Sequence, residues 1–189
     1  MATENFDTLM QAPIHVLINE TADPSLTYDS GSADNSFIQT ARGFLPYPMM
    51  QHTGYIHFIL AGQITLIGSA NTIEVQVVVD GAPVSAVMSF PTGAAIATPG
   101  TFTLEVKVFP IASTIANKEQ QQAVRAQMIF DDGASLIANV TAIAGMTVDT
   151  HVPDGHTIGL QVRKQLATAN HFLTLHSQFA YRLGGRSGS

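Results

Sequence analysis

Cysteine is absent from this chain of 189 residues. That excludes a disulfide framework, a thiolate metal site and a cysteine nucleophile together, so packing alone must hold the fold. Charge is scarce too: 12% of residues are Asp, Glu, Lys or Arg, and the formal net charge is -6. Such a balance supplies no basic surface for phosphate backbones, and no nucleic-acid partner is expected. No apolar run reaches the length of a membrane helix, and the start, MATENFDTLMQ, lacks the basic region and apolar core of a secretory signal. The expectation is a soluble chain with no membrane insertion. Enzyme signatures are missing in the same way: there is no Gly-x-Ser-x-Gly, phosphate loop or dinucleotide fingerprint.

What is present is alternation. An apolar share of 46% is enough for one well-packed domain at this length, and after residue 53 apolar and polar residues alternate through most of the chain, as in strands with one face on a core. Ile73, Val75, Val77 and Val79 share a face, and Asp80-Gly81 then predicts a tight hairpin returning through Val84, Ala86, Met88 and Phe90. The next strand, 101 to 109, buries Phe102, Leu104, Val106 and Val108. The polar run Asn117-Lys-Glu-Gln-Gln-Gln122 reads as an exposed excursion. A second hairpin follows, with Val124, Ala126, Met128 and Phe130 leading to Asp131-Asp-Gly133 and Leu136, Ala138 and Val140 leading back. After a short apolar strand at 143 to 148, Pro153-Asp-Gly155 turns the chain into Ile158, Leu160 and Val162, and the last strand alternates from Leu173 through Leu175 to Phe179, Tyr181 and Leu183. Strands about ten residues apart, joined by Gly and Pro turns without helices, predict an all-β antiparallel sandwich.

Seven histidines raise the question of metal. No His-x-His pair occurs, and His52 and His57 flank Gly54 at a spacing that disfavours a cupin-type centre. His171 and His176 are five apart, which puts them on opposite faces of an extended strand. The densest cluster is Asp149, His151, Asp154 and His156, for which a solvated Asp-Gly turn is the simpler account. Asp131 and Asp132 beside Gly133 read as an Asx turn rather than an acid-base pair. No catalytic residue, cofactor or metal is expected, and the chain is read as no enzyme.

His57 sits within HTGYIHFIL, where Ile56, Phe58 and Leu60 face the core and Tyr55, His57 and Ile59 the other side. Outward positions of a monomeric sandwich should be polar. Here Ile59, Ile67, Val78, Phe109, Ile129, Ile137 and Phe172 fall opposite the main inward set. Two readings fit: apolar residues scattered over a surface, or a sheet face covered by another subunit, which the low charge favours. On the second reading His57, Ile59, Ile67, Phe109, Ile129, Ile137 and Phe172 form a subunit interface.

Gly54 before Ile56 and Phe58, the run Val77-Val-Val-Asp-Gly-Ala-Pro-Val84, the segment Asp154 to Arg163 and the closing Phe179-Ala-Tyr-Arg-Leu183 together resemble the jelly roll shared by complement-C1q-like and tumour-necrosis-factor-like domains, with relatives in phage virion proteins. The resemblance covers residues 53 to 183 in organisation; Ile56 stands where the family has Tyr, and its closing Phe-Ser-Gly-Phe is not reproduced. It implies a homotrimer without catalytic residues. The lack of cysteine and of a Gly-X-Y stalk points within that group to phage particles. The implied role is a capsid decoration or head-fibre protein in the virion, assembled in the host cytoplasm, with the major capsid protein or other virion proteins as partners. The alternative is an adhesin for a host receptor or surface glycan. The organisation expected is an N-terminal arm with outer strands over 1–50, a jelly-roll sandwich over 51–183 and a flexible end over 184–189. The arm reads either as outer strands of the sandwich or as a segment reaching onto a neighbour.

Overall fold

The computed structural model describes residues 14–21, 27–28, 37–45, 55–66, 72–92, 95–114, 119–132, 136–149, 154–164 and 172–183. Twelve strands run in the order β1 Ile14–Thr21, β2 Thr27–Tyr28, β3 Ile38–Leu45, β4 Tyr55–Leu66, β5 Thr72–Val79, β6 Ala82–Pro83, β7 Met88–Pro91, β8 Ile96–Thr114, β9 Glu119–Asp131, β10 Leu136–Asp149, β11 His156–Lys164 and β12 Phe172–Leu183. Among the described residues there is no helix, and every strand pairing is antiparallel.

Two sheets result. The larger has the order β1-β12-β4-β8-β9-β10, with β2 also on β12; the smaller has β3-β11-β5-β6, with β7 also on β5. Their inward residues merge into one core, from Phe58, Leu104 and Phe130 on the large sheet to Ile73, Phe90 and Leu160 on the small one. Phe58, Phe90 and Phe130 are completely buried, each worth on the order of 1.5–3 kcal/mol in transfer alone. β1 and β3, which fall within the first 50 residues, pair with β12 and β11, so the strands of that segment are outer strands of the two sheets.

The alternation read from the sequence holds wherever a strand runs without interruption. Val75, Val77, Leu104, Val106, Val124, Ala126 and Met128 are all buried as expected. The Asp80-Gly81 turn has φ of 51° and 85°, both positive, as a two-residue hairpin of this twist requires.

Departures have local causes. β6 pairs Ala82 with Val79, but β7 pairs Met88 with Val75, so the return strand carries two extra residues. The Ser85 hydroxyl accepts from the Val77 amide at 2.9 Å in place of a backbone carbonyl, and Ala86, expected inside, is exposed. Of the polar run expected as an excursion, Glu119 to Gln122 are strand, and Asn117 and Lys118 lie outside the described residues: Thr114 pairs with Glu119 and Pro110 with Gln122, and Gln122 is buried. Cross-strand pairing carried on from a well-packed hairpin outweighs the weak strand propensity of Gln and Glu. The separate apolar strand expected at 143 to 148 is the continuation of β10.

The largest departure is in β12. Its register against β4 shifts between Leu175 and Ser177, so that one extra residue lies at His176. A bulge of one residue exchanges the two faces of everything beyond it. Leu173 and Leu175 are buried, but after the bulge Gln178, Ala180 and Arg182 turn inward and Phe179, Tyr181 and Leu183 turn out. Gln178 uses this placement to join the sheets: its Nε2 donates to the Thr40 hydroxyl at 3.0 Å, which donates to the Leu160 carbonyl at 3.0 Å. Arg182 is 4% exposed, its Nη2 has no hydrogen-bond partner, and burial lowers its pKa.

Candidate functional site

The outer face of the large sheet holds His57, Ile59, Phe109 and Ile129 of the residues that sequence reasoning singled out. Register lines up Val16, Tyr181, His57, Lys107, Arg125 and Ile143 as one row from β1 to β10. The neighbouring row is Phe179, Ile59, Glu105, Gln127 and Thr141. Aromatic rings form a continuous run across three strands. Phe109 lies 5.5 Å from Tyr55, Tyr55 lies 6.3 Å from His57, His57 meets Tyr181 edge-on at 5.2 Å, and Tyr181 lies 5.4 Å from Phe179.

His57 stands at the centre of this run and is 6% exposed, closed in by neighbours on its own face. Its Nδ1 is 2.7 Å from the Tyr181 hydroxyl. Its Nε2 is 3.3 Å from the Glu105 carboxylate but outside hydrogen-bonding alignment, so that nitrogen is buried with an unaligned acceptor beside it. Neutral imidazole suits these surroundings when the phenol donates to Nδ1 and Nε2 carries the proton. Burial lowers the His57 pKa, the Lys107 ammonium lowers it further, and the Glu105 carboxylate opposes both. Burial, with Tyr55 and Glu105 adding to it, raises the Tyr181 phenol, which stays protonated. Glu105 also meets Lys107 at 3.5 Å. His57, Tyr181 and Glu105 form a polar knot within an aromatic surface.

Beside the knot lies a depression of about 380 Å³ lined by Tyr55, Phe109, Glu105, Lys107, Arg125 and Gln127. At the sheet edges Val16 is 57% and Ile143 77% exposed.

Of the residues expected at a subunit interface, His57, Ile59, Phe109 and Ile129 share this face, the last three half-buried. Ile137 lies at the register shift in β10 and Phe172 pairs with Thr65 in β12; their side chains, and Ile67 entirely, lie outside the described residues. Val78, grouped with them on the sequence, belongs to the other sheet, opposite Pro83 and Gly159, and is 1% exposed. Phe179 and Tyr181 were missed as members of the face because the bulge at His176 reverses the parity that alternation assumes. The polar residue Gln178, in line with Leu173 and Leu175 only if a residue is skipped and directly before Phe179, was the available signal.

On the outer face of the small sheet polar groups pair with one another, and Phe44 in β3 is left 56% exposed beside them. Glu74 pairs with Arg163, whose guanidinium lies 4.4 Å from the Phe37 ring centroid. Gln161 donates to Gln76 at 2.8 Å, and Gln39 donates to the Gly81 carbonyl at 3.1 Å. His156 of the suspected metal loop is committed elsewhere: its Nδ1 is 2.6 Å from Asp80, whose other oxygen accepts from the Thr157 amide at 2.8 Å. Burial pushes the Asp80 carboxyl up, but the hydrogen bonds from His156 and Thr157 outweigh it and hold the pKa below the ordinary value. These contacts pin the Asp80-Gly81 hairpin to β11. His151 lies outside the described residues. Compared with models of known protein families and with curated protein sequences, the chain matches none.

Proposed function

We propose that the protein is a homotrimeric jelly-roll structural component of a phage particle, a capsid decoration or head-fibre protein that acts by adhesion and reinforcement rather than by chemistry. The observation that carries the oligomer is the outer face of the large sheet, where five rings, Ile59 and the edge residues Val16 and Ile143 occupy positions that water would otherwise cover. Strand order supports the jelly roll. β1, β12, β4 and β8 in one sheet and β3, β11, β5 and β7 in the other interleave as an eight-strand double-sheet roll, and the β9–β10 hairpin widens one edge. Scarce charge, with no cysteine, fits a particle component that lives by packing.

Purified protein added to phage heads that lack it, from the phage that encodes it, tests the role. The expected result is saturable binding at a fixed number of trimers per head, with heads that better resist heat. Binding without saturation, or no binding, removes the decoration role. The second reading, an adhesin, draws on the depression beside Tyr55 and Phe109, where aromatic walls and polar side chains together suit a saccharide. A glycan-array signal lost on Tyr55→Ala substitution is the result that would favour it.

A further inference from the structure

Lys107 in β8 and Arg125 in β9 are direct cross-strand partners. Like charges in that position repel each other and weaken a sheet. The chain has only eight Lys and Arg, so the pair is no by-product of a crowded basic surface. The carboxylate beside it is Glu105, which meets Lys107 at 3.5 Å and stands 3.3 Å from His57. No ion pair joins Glu105 to Arg125 among the described residues, and the partner of Arg125 on its other side is Ile143, which offers no charge. Two cations therefore share one carboxylate at a place where both can be reached: the Lys107 side chain is 37% exposed, and Arg125 is exposed.

Both cations line the depression, with Glu105 and Gln127 beside them and Tyr55 and Phe109 as its apolar wall. The two rings lie 5.5 Å apart and are half-buried, so each keeps part of its surface open. At about 380 Å³ the depression is near the small end of ligand sites, which run from roughly 300 to 1,000 Å³, and it suits a single ring-sized group. Beyond Phe109 the row continues through Ala123 and Gly145, and a Cβ on Gly145 would meet nothing within 4 Å. No tall side chain in that row blocks the way to the sheet edge. A ligand longer than one unit can continue over it.

A sugar ring offers an apolar C–H face and a rim of hydroxyls, which match the aromatic wall and the side chains of Gln127 and Glu105. The uncompensated positive charge asks for a carboxylate as well, and a guanidinium can hold one with two parallel hydrogen bonds. A densely sulfated or phosphorylated polymer fits less well, because the chain as a whole carries a formal charge of -6. We infer that the depression binds a hexuronate unit of an acidic polysaccharide, its carboxylate between Arg125 and Lys107 and its ring against Tyr55 and Phe109. This rests on the adhesin reading and names that reading's ligand. It requires the β8–β9 side of the face to stay open even where a neighbour covers Val16, Phe179 and Tyr181 on the β1–β12 side.

The test is calorimetric titration of the full chain with short oligomers of galacturonate, glucuronate and mannuronate, their methyl esters, neutral glycans and an oligoglutamate peptide. At least one uronate should bind saturably, one oligomer per chain. Methyl esterification removes the charge and keeps the ring, and it should weaken binding by about tenfold or more, as should Arg125→Gln. Arg125 is exposed, so that variant should keep the far-ultraviolet spectrum of the wild type. Tyr55→Ala should weaken the uronate while leaving its salt dependence intact, whereas Arg125→Gln should flatten that dependence. An ester that binds as well as its acid, or an Arg125→Gln variant with unchanged affinity for the acid, overturns the carboxylate assignment. Preference for oligoglutamate over every uronate overturns the sugar. Neutral glycans bound without any uronate overturn this inference and leave the adhesin reading standing, and no glycan bound at all overturns both.

Discussion

On the outer side of the small sheet, Glu74 meets Arg163 and Gln161 meets Gln76, and Phe44 is left 56% exposed. On the outer side of the large sheet, Val16, Tyr55, Phe109, Ile143 and Phe179 have no such polar contacts, and even the buried histidine keeps one nitrogen without an aligned partner. Both faces are built by the same alternation along antiparallel strands. The difference lies in what completes them. Polar groups of the small sheet find each other across neighbouring strands, while on the proposed reading the half-buried rings of the large sheet complete their burial against another molecule. On that proposal the paired face stabilises the protomer and the aromatic one joins it to its neighbours.

Substitutions can separate the two faces. The greatest loss should come at neither outer face but where strands touch: Gly62→Val, which sets a side chain against the Thr174 carbonyl, should cost roughly 3 kcal/mol or more of protomer stability by denaturant unfolding. Next comes the paired face. Glu74→Ala removes a buried carboxylate and leaves Arg163 without it, and should lower stability by about 1–3 kcal/mol while the mass in solution stays constant. If Glu74→Ala changed the mass and not the melting point, the comparison would be reversed.

On the aromatic face, Tyr181→Phe should cost the protomer less than about 1 kcal/mol, since one hydrogen bond to His57 is lost and the ring remains. Its effect should appear in assembly, as a mass that falls at higher pH than in the wild type. Unfolding and sedimentation on the same variant read the two effects separately.

Acid should separate the faces as well. Tyr181, Tyr55, Glu105 and Lys107 surround His57, and its pKa in the fold lies below the ordinary 6.5. The stability tied to neutral His57 is therefore complete above pH 6.5 and is lost as pH falls through the lowered value. Asp80, held below the ordinary 3.8, contributes above that pH and loses its contribution only as pH falls through its own lowered value. The protomer should therefore melt earlier in mild acid, and assembly through this face should weaken with it, while the Asp80 contribution persists. A His57→Gln variant should lose the mild-acid step in sedimentation; a variant that keeps it rules His57 out as the cause.

Much of this contrast could be read from the chain. Ile56, Phe58 and Leu60 inward and Tyr55, His57 and Ile59 outward follow from alternation alone, and so does the Asp80-Gly81 hairpin. Alternation fails where the count is broken. A single extra residue at His176 turned Phe179 and Tyr181 outward, and two near Ser85 displaced Ala86, because bulges leave no mark in composition. The knot at His57 was beyond reach for another reason: Tyr181 is 124 residues away in the chain, and only the pairing of β12 with β4 brings it within 2.7 Å. Likewise Gln178 reads as a break in an apolar strand until the bulge places it against Thr40 of the opposite sheet.

The most direct test is the molar mass of the untagged wild-type chain at neutral pH, by light scattering behind size exclusion. The expected result is a single species of three times the 20.1 kDa chain, unchanged on dilution across the working range. A stable species of 20.1 kDa would contradict it, because the outer face of the large sheet would then meet only water.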